Sequence, residues 1–216
     1  MPWGAIVVTI ITIGFLITGL IGPTFAQLRF RRTREPSMPE LEQIETRWPT
    51  STSMCDRVVI IETVGDASVE VAIRGVPGYR ILFVTDYVLE SLDESIVEAL
   101  FAAELARTKR WYREYQVLAA TMVLALGSAA FLLVVPFELG FGAMLILAMV
   151  LFAIGRTIQY RADAAAAAEV GTTALLDAFE TVTAQRGIQP VSAGWRNLFT
   201  VQPRLGDRIE RLREQG

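Results

Sequence analysis

Long uncharged runs and short charged clusters alternate along this chain, and their spacing predicts most of its elements. Residues 3–26 carry no Asp, Glu, Lys or Arg, enough helix to cross a bilayer core of about 30 Å. Arg29, Arg31, Arg32 and Arg34 follow at once. The positive-inside rule therefore puts this end in the cytoplasm and the amino terminus outside. A cleavable signal peptide is the alternative, disfavoured because no basic residue precedes the run and the run is long. Two further apolar runs, 117–137 and 139–155, are separated only by a tight link at 136–140, and read as a helical hairpin whose second arm is short for a full span. Arg107, Lys109, Arg110 and Arg113 precede it, and Arg156 and Arg161 follow it, so both flanks are expected in the cytoplasm. A hairpin buried in a soluble core is the alternative.

Between these runs the pattern shortens. Residues 35–56 form a polar connector with Pro36, Pro39 and Pro49, and Ser37 with Glu40 makes a capping box for a short helix. Residues 58–61, 69–73 and 80–85 read as strands, parted by Gly65-Asp66 and by Val76-Pro77-Gly78. Ser91 and Glu94 form a second capping box, opening a helix with Ile96, Val97, Leu100, Phe101 and Leu105 on one side. From Arg161 the chain reads as helix, through the alanine run 164–168 and residues 175–182, with a last amphipathic helix at 206–214. The expected divisions are an N-terminal transmembrane helix (1–28), a cytoplasmic connector (29–56), a first globular part (57–116), the transmembrane hairpin (117–155) and a second globular part (156–216).

Composition narrows the chemistry. The chain has 216 residues, 52% of them hydrophobic and 20% charged, and its mean hydropathy is +0.41. Such apolarity excludes disorder and exceeds that of an ordinary soluble domain. A net charge of −3 argues against nucleic acid as a partner. Cys55 is the single cysteine and histidine is absent. No intrachain disulfide, cysteine-based zinc site, histidine-assisted nucleophile or imidazole-ligated metal can then form. Lys109 is the only lysine, against nineteen arginines. Cys55 reads as a buried or connector residue, and Trp111, Tyr112 and Tyr115 as an interfacial aromatic belt.

Four landmarks in order carry a resemblance. They are the strand 79–85 ending in Val84-Thr85, the helix bearing Ala102-Ala103-Glu104-Leu105-Ala106-Arg107, the segment Arg156-Thr-Ile-Gln159-Tyr-Arg-Ala-Asp163 after the hairpin, and a tail with Gln202-Pro203 and Arg208-Ile209-Glu210-Arg211-Leu212. Over about residues 57–216 this resembles the HtpX-like, CAAX prenyl protease-type membrane zinc metalloproteases. The resemblance implies a mostly α membrane protein: α+β with a small sheet, a zincin-like helical core and three transmembrane helices. In that family two histidines four residues apart on one helical face hold zinc. The glutamate between them polarises the zinc-bound water, and a glutamate after the hairpin is the third ligand.

Here the resemblance puts Ala103, Arg107 and Gln159 at the three ligand positions and Gln202 at the tail histidine, while Glu104 keeps the general-base position and Asp163 supports the site. A methyl, a guanidinium and an amide do not replace imidazole and carboxylate as zinc ligands. The resemblance thus implies a catalytically inactive pseudoprotease without zinc or other cofactor. It would sit in the cell membrane as a multi-pass protein with its peptidase-like domain cytoplasmic. Its partner would be another membrane protein or an active paralogue, bound by strand addition beside residues 69–85. Arg107 either reaches the membrane surface like its neighbours Lys109 and Arg110, or turns inward to occupy the vacated cation position and neutralise the carboxylates left there. The alternatives are an active metalloendopeptidase with an altered metal site and a purely structural membrane subunit.

Overall fold

The computed structural model describes residues 32–63, 68–131, 136–185 and 203–215, with positions 13 and 187. The expected first span, the Gly65-Asp66 turn and Gln202 lie outside these residues.

Four strands form one mixed sheet. β1 (Thr33–Arg34) runs antiparallel to β2 (Arg57–Ile61), β2 parallel to β4 (Tyr79–Thr85), and β4 antiparallel to β3 (Val71–Val76), in the order β1-β2-β4-β3. The third strand starts and ends later than the pattern suggests, and β1 falls inside the expected connector. β3 and β4 meet in a tight hairpin whose Val76 faces Tyr79; Pro77 fixes its own φ and Gly78 turns at φ +82°. Gly75 needs its missing side chain even more: at φ +107° a Cβ would stand 1.9 Å from the Tyr79 carbonyl oxygen.

Alternation along the strands separates two apolar clusters. Val58, Ile60, Ile73, Leu82 and Val84 join the main core, whereas Val59, Ile61, Ile81 and Phe83 make a second cluster on the other face. A parallel pair buried on both faces reads as continuous Val and Ile, as 58–61 does.

The connector supplies helix α1 (Met38–Arg47) and the short α2 (Pro49–Ser53). The Ser37–Glu40 capping box forms as expected. Trp48, between the two helices, stacks on Phe101 with ring centroids 4.2 Å apart. After β4 come α3 (Asp86–Ser91) and α4 (Glu94–Lys109). The expected second capping box does not form. Ser91 ends α3, and Asp93 takes the N-cap position of α4, its carbonyl accepting from the amides of Ile96 and Val97. A short helix placed directly before α4 moves the cap by two residues.

Helix α4 packs against β3 and against the later helices, so apolar residues surround it: Val97, Leu100, Phe101, Ala103 and Ala106 all belong to the main core. α5 (Tyr112–Phe131) and α6 (Phe137–Val170) form the hairpin. The second arm is longer than the apolar pattern implies. α6 does not stop at Gly155 but continues to Val170, where Gly171 ends it at φ +92°. At about 1.5 Å per residue its 34 residues exceed a bilayer core. Among the described residues this helix, 138–170, is the one long and apolar enough to cross a membrane. Leu139, Leu145, Ile146, Met149, Val150 and Ile154 stand exposed along its first half. Its second half carries Gln159 and Asp163 into the core. α7 (Thr172–Gln185) and α8 (Leu205–Gln215) close that core through Leu175, Phe179, Ile209 and Leu212. Of the residues expected to form an aromatic belt, Trp111 is exposed and Tyr112 is buried.

Candidate functional site

The site forms where α4, the outer edge of β3, the second half of α6 and the start of α8 converge. Glu104 lies on the inward face of α4, its side chain 3% exposed. An ionised carboxylate at that depth requires partners, and it has three. Ile73 of the edge strand donates its amide to Glu104 Oε1 at 3.0 Å. Arg107, one turn along the helix, donates Nη1 to Oε2 at 2.9 Å. Arg113, in the first turn of α5, brings Nη2 to 3.6 Å from Oε1. Burial pushes the Glu104 carboxyl up, but Arg107, Arg113 and the Ile73 amide outweigh it and hold the group below the ordinary carboxylate range. Arg107 shows the reverse balance. Burial and the proximity of Arg208 hold its guanidinium below the usual arginine value, against the opposing pull of Glu104 and Asp163.

The structure also buries the other expected site residues that it describes. Ala103 packs in the main core and Gln159 is wholly buried. Gln159 Nε2 donates to Asp163 Oδ1 at 3.0 Å; its Oε1 is buried with no hydrogen-bond partner among the described residues. Of the two readings open for Arg107 the inward one describes its contact, but it pairs with one carboxylate and not both. Asp163 is held instead by Arg208 of α8, which donates Nε and Nη2, each at 2.7 Å, to its two oxygens. That guanidinium also covers the Phe179 ring at 4.2 Å.

Arg113 and Arg208 are therefore site residues that the sequence reading missed. Arg113 counted only as a flanking charge of the hairpin, and Arg208 only as a tail landmark. The available signal was arithmetic: Asp163 lies in an alanine-rich helix and needs a buried cation, which spacing alone does not identify.

The donor set does not suit zinc. Ala103 offers no lone pair, Arg107 places a fixed cation beside Glu104, and Gln159 is a neutral amide. Among the described residues no three His, Cys, Asp or Glu side chains are grouped to hold a metal. Cys55 supplies no thiolate, since burial pushes its thiol up to about 12. What remains is a cleft of about 670 Å³ between the β3 edge and α8, walled by Val71, Arg74, Glu104, Arg107, Phe179 and Arg208 among others.

No family model matches the chain, and no curated protein matches it. Among solved structures it is similar to the crystal structure of S. mikatae Ste24p, with a TM-score of 0.67 and 18% identity over 96% of this chain. The match covers 57% of the Ste24p chain, so this chain spans less than two thirds of that protein's length. The fold is accordingly Ste24-like, with a long apolar helix that runs on into the buried polar site.

Proposed function

We propose that this chain is a catalytically inactive, membrane-anchored relative of the Ste24-type and HtpX-like metalloproteases, and that its cleft binds a segment of another membrane protein or of an active paralogue. One observation carries the reading. Glu104, at the family's general-base position, is engaged by Arg107, Arg113 and the Ile73 amide. A carboxylate stabilised in this way is a weakened base toward a water, and the neighbouring cation opposes a metal that would activate one.

The edge position of β3 supports binding by strand addition, since Val69–Ala72 lie along the cleft. The Ile73 amide is already bonded to Glu104, so an added strand pairs with the backbone on either side of it. The exposed apolar half of α6 supports a location in the membrane.

The test is metal content and peptidase activity of the full-length protein purified in detergent. The expected result is far less than one zinc per chain and no chelator-sensitive hydrolysis. Stoichiometric zinc, with hydrolysis abolished by Glu104→Gln, would overturn the proposal.

A further inference from the structure

Charge in the cleft is not balanced. Arg74, Arg107, Arg113, Arg204 and Arg208 line it, against Glu70 and Glu104. Asp163, behind Arg208, adds one more carboxylate, so five guanidinium groups face three anions. The pairings leave one surplus cation beside Glu104 and one at the rim, Arg204. Arg74 bonds Glu70 at 2.8 Å and Arg208 holds Asp163, while Arg107 and Arg113 share the single carboxylate of Glu104. The Nε–H groups of Arg74, Arg107 and Arg113 are buried with no acceptor among the described residues. Arg204 stands exposed at the rim.

Clustered guanidinium groups in a partly enclosed cleft repel one another and concentrate a positive field there. Burial first, and then the proximity of Arg208, lower the basicity of Arg107. An oxyanion relieves this repulsion, and the planar fork of a guanidinium matches its geometry. A phosphate monoester, with a charge of about −1.5 to −2 and several acceptor oxygens, suits a surplus of this size better than a single carboxylate.

We propose that the cleft is an oxyanion site that takes a phosphate monoester group, with Arg107 and Arg113 as its principal ligands and Arg74 and Arg204 flanking them. This rests on the inactive-protease reading, in which a guanidinium and not a metal occupies the site. The group is either the monoester headgroup of a membrane lipid or the soluble phosphate ion that shares its charge and oxygens.

The experiment uses full-length protein in nanodiscs. Thermal unfolding is followed with inorganic phosphate against chloride at constant ionic strength, in bilayers of phosphatidylcholine with and without phosphatidic acid. A saturable rise in Tm is expected. A rise with inorganic phosphate assigns the free ion, and a rise confined to phosphatidic acid assigns the headgroup. The double variant Arg74→Gln/Arg113→Gln should weaken the response by about tenfold or more per guanidinium removed. Arg204→Gln, a change at an exposed rim residue, gives a second reading if the double variant does not fold, and should weaken it to a smaller extent. No rise over chloride or phosphatidylcholine, or an undiminished response in the variants, overturns the site. Zinc measured on the same preparation keeps the two proposals apart. Stoichiometric zinc removes the inactive-protease reading and this assignment with it, whereas zinc-free protein that ignores phosphate removes this assignment alone.

Discussion

Arg107 and Glu104 form an ion pair of 2.9 Å between successive turns of one helix, with the carboxylate buried and the guanidinium 15% exposed. Removing one partner of a buried pair costs about 3–5 kcal/mol because the other charge stays buried. Arg113 remains within reach of Glu104, so Arg107→Ala should destabilise by about 2–4 kcal/mol. The Arg107→Gln/Glu104→Gln double variant should lose less than Arg107→Ala, since neither charge of the pair is left buried and Arg113, a third exposed, turns to solvent at smaller cost. Denaturant unfolding of the three proteins checks this. An Arg107→Ala variant that unfolds like the parent would show that the pair contributes nothing.

Acid should loosen the junction between the connector and the sheet. Glu40 accepts both Nη atoms of Arg34, at 2.7 and 2.6 Å, as well as the Ser37 amide and hydroxyl. The bond from Arg34, with help from Ser37, pulls its carboxyl down to about 2 from an ordinary value of 4.5. A lowered folded pKa stabilises fully above the unfolded value, and that stability is lost as pH falls from about 4.5 toward 2. Glu104 shifts in the same direction. Tm should therefore fall steeply below about pH 4.5, and Glu40→Gln should start lower and show a shallower acid limb. Superimposable acid limbs for the two proteins would contradict the assignment.

The elements were legible in the sequence where a local cause determines them. Ser37 with Glu40 marks α1, continuous Val and Ile mark β2, and Pro77-Gly78 marks the hairpin. The site was legible only in part. The Glu104–Arg107 pair follows from helical spacing, which sets both on one face. Arg113 did not declare itself, because a charge flanking an apolar run looks the same whether it reaches solvent or turns inward; contact between α5 and β3 decides it. The Asp163–Arg208 clamp joins residues 45 positions apart, a pairing that no local pattern encodes. The true length of α6 was hidden because its hydropathy drops after Gly155 while its helix continues.

Topology is testable through the same charges. Arg107 and Arg113 point toward Glu104, so Lys109 and Arg110, both exposed, remain as the outward basic flank of the hairpin. With Arg161 on the other side, the expectation is still a cytoplasmic site. In a Cys55→Ser background, Thr33→Cys and Glu214→Cys should react with a membrane-impermeant maleimide only after permeabilisation. Labelling of either in intact cells would reverse the proposed orientation.

Placing the ligands of the Ste24-type and HtpX-like metalloproteases on this scaffold is the most direct test of the proposed loss of the metal site. Ala103→His, Arg107→His and Gln159→Glu together place two imidazoles four residues apart on α4, facing a carboxylate on α6, with Glu104 already between them. Helix α4, which carries two of the positions, packs directly on α6, which carries the third. All three changes are needed. Retaining Arg107 keeps a cation where a metal must sit, and two unit charges about 4 Å apart repel by roughly 4 kcal/mol at an effective dielectric of 20; a divalent ion fares worse. Space opposes the change at residue 103, because Ala103 is packed in the core and an imidazole there must displace neighbours at a cost of about 1–3 kcal/mol. Metal binding contributes more than that to folding when the geometry is right. The triple variant should therefore take up about one zinc per chain and melt higher with zinc than with chelator, while the variant that keeps Arg107 takes up none. Hydrolysis is a separate measurement, since Arg113 still neutralises Glu104 and supporting contacts tune a metal site. A folded triple variant that binds no zinc would mean that α4 and α6 do not hold these positions at ligand distance, and would favour a purely structural subunit over a protease-like cleft.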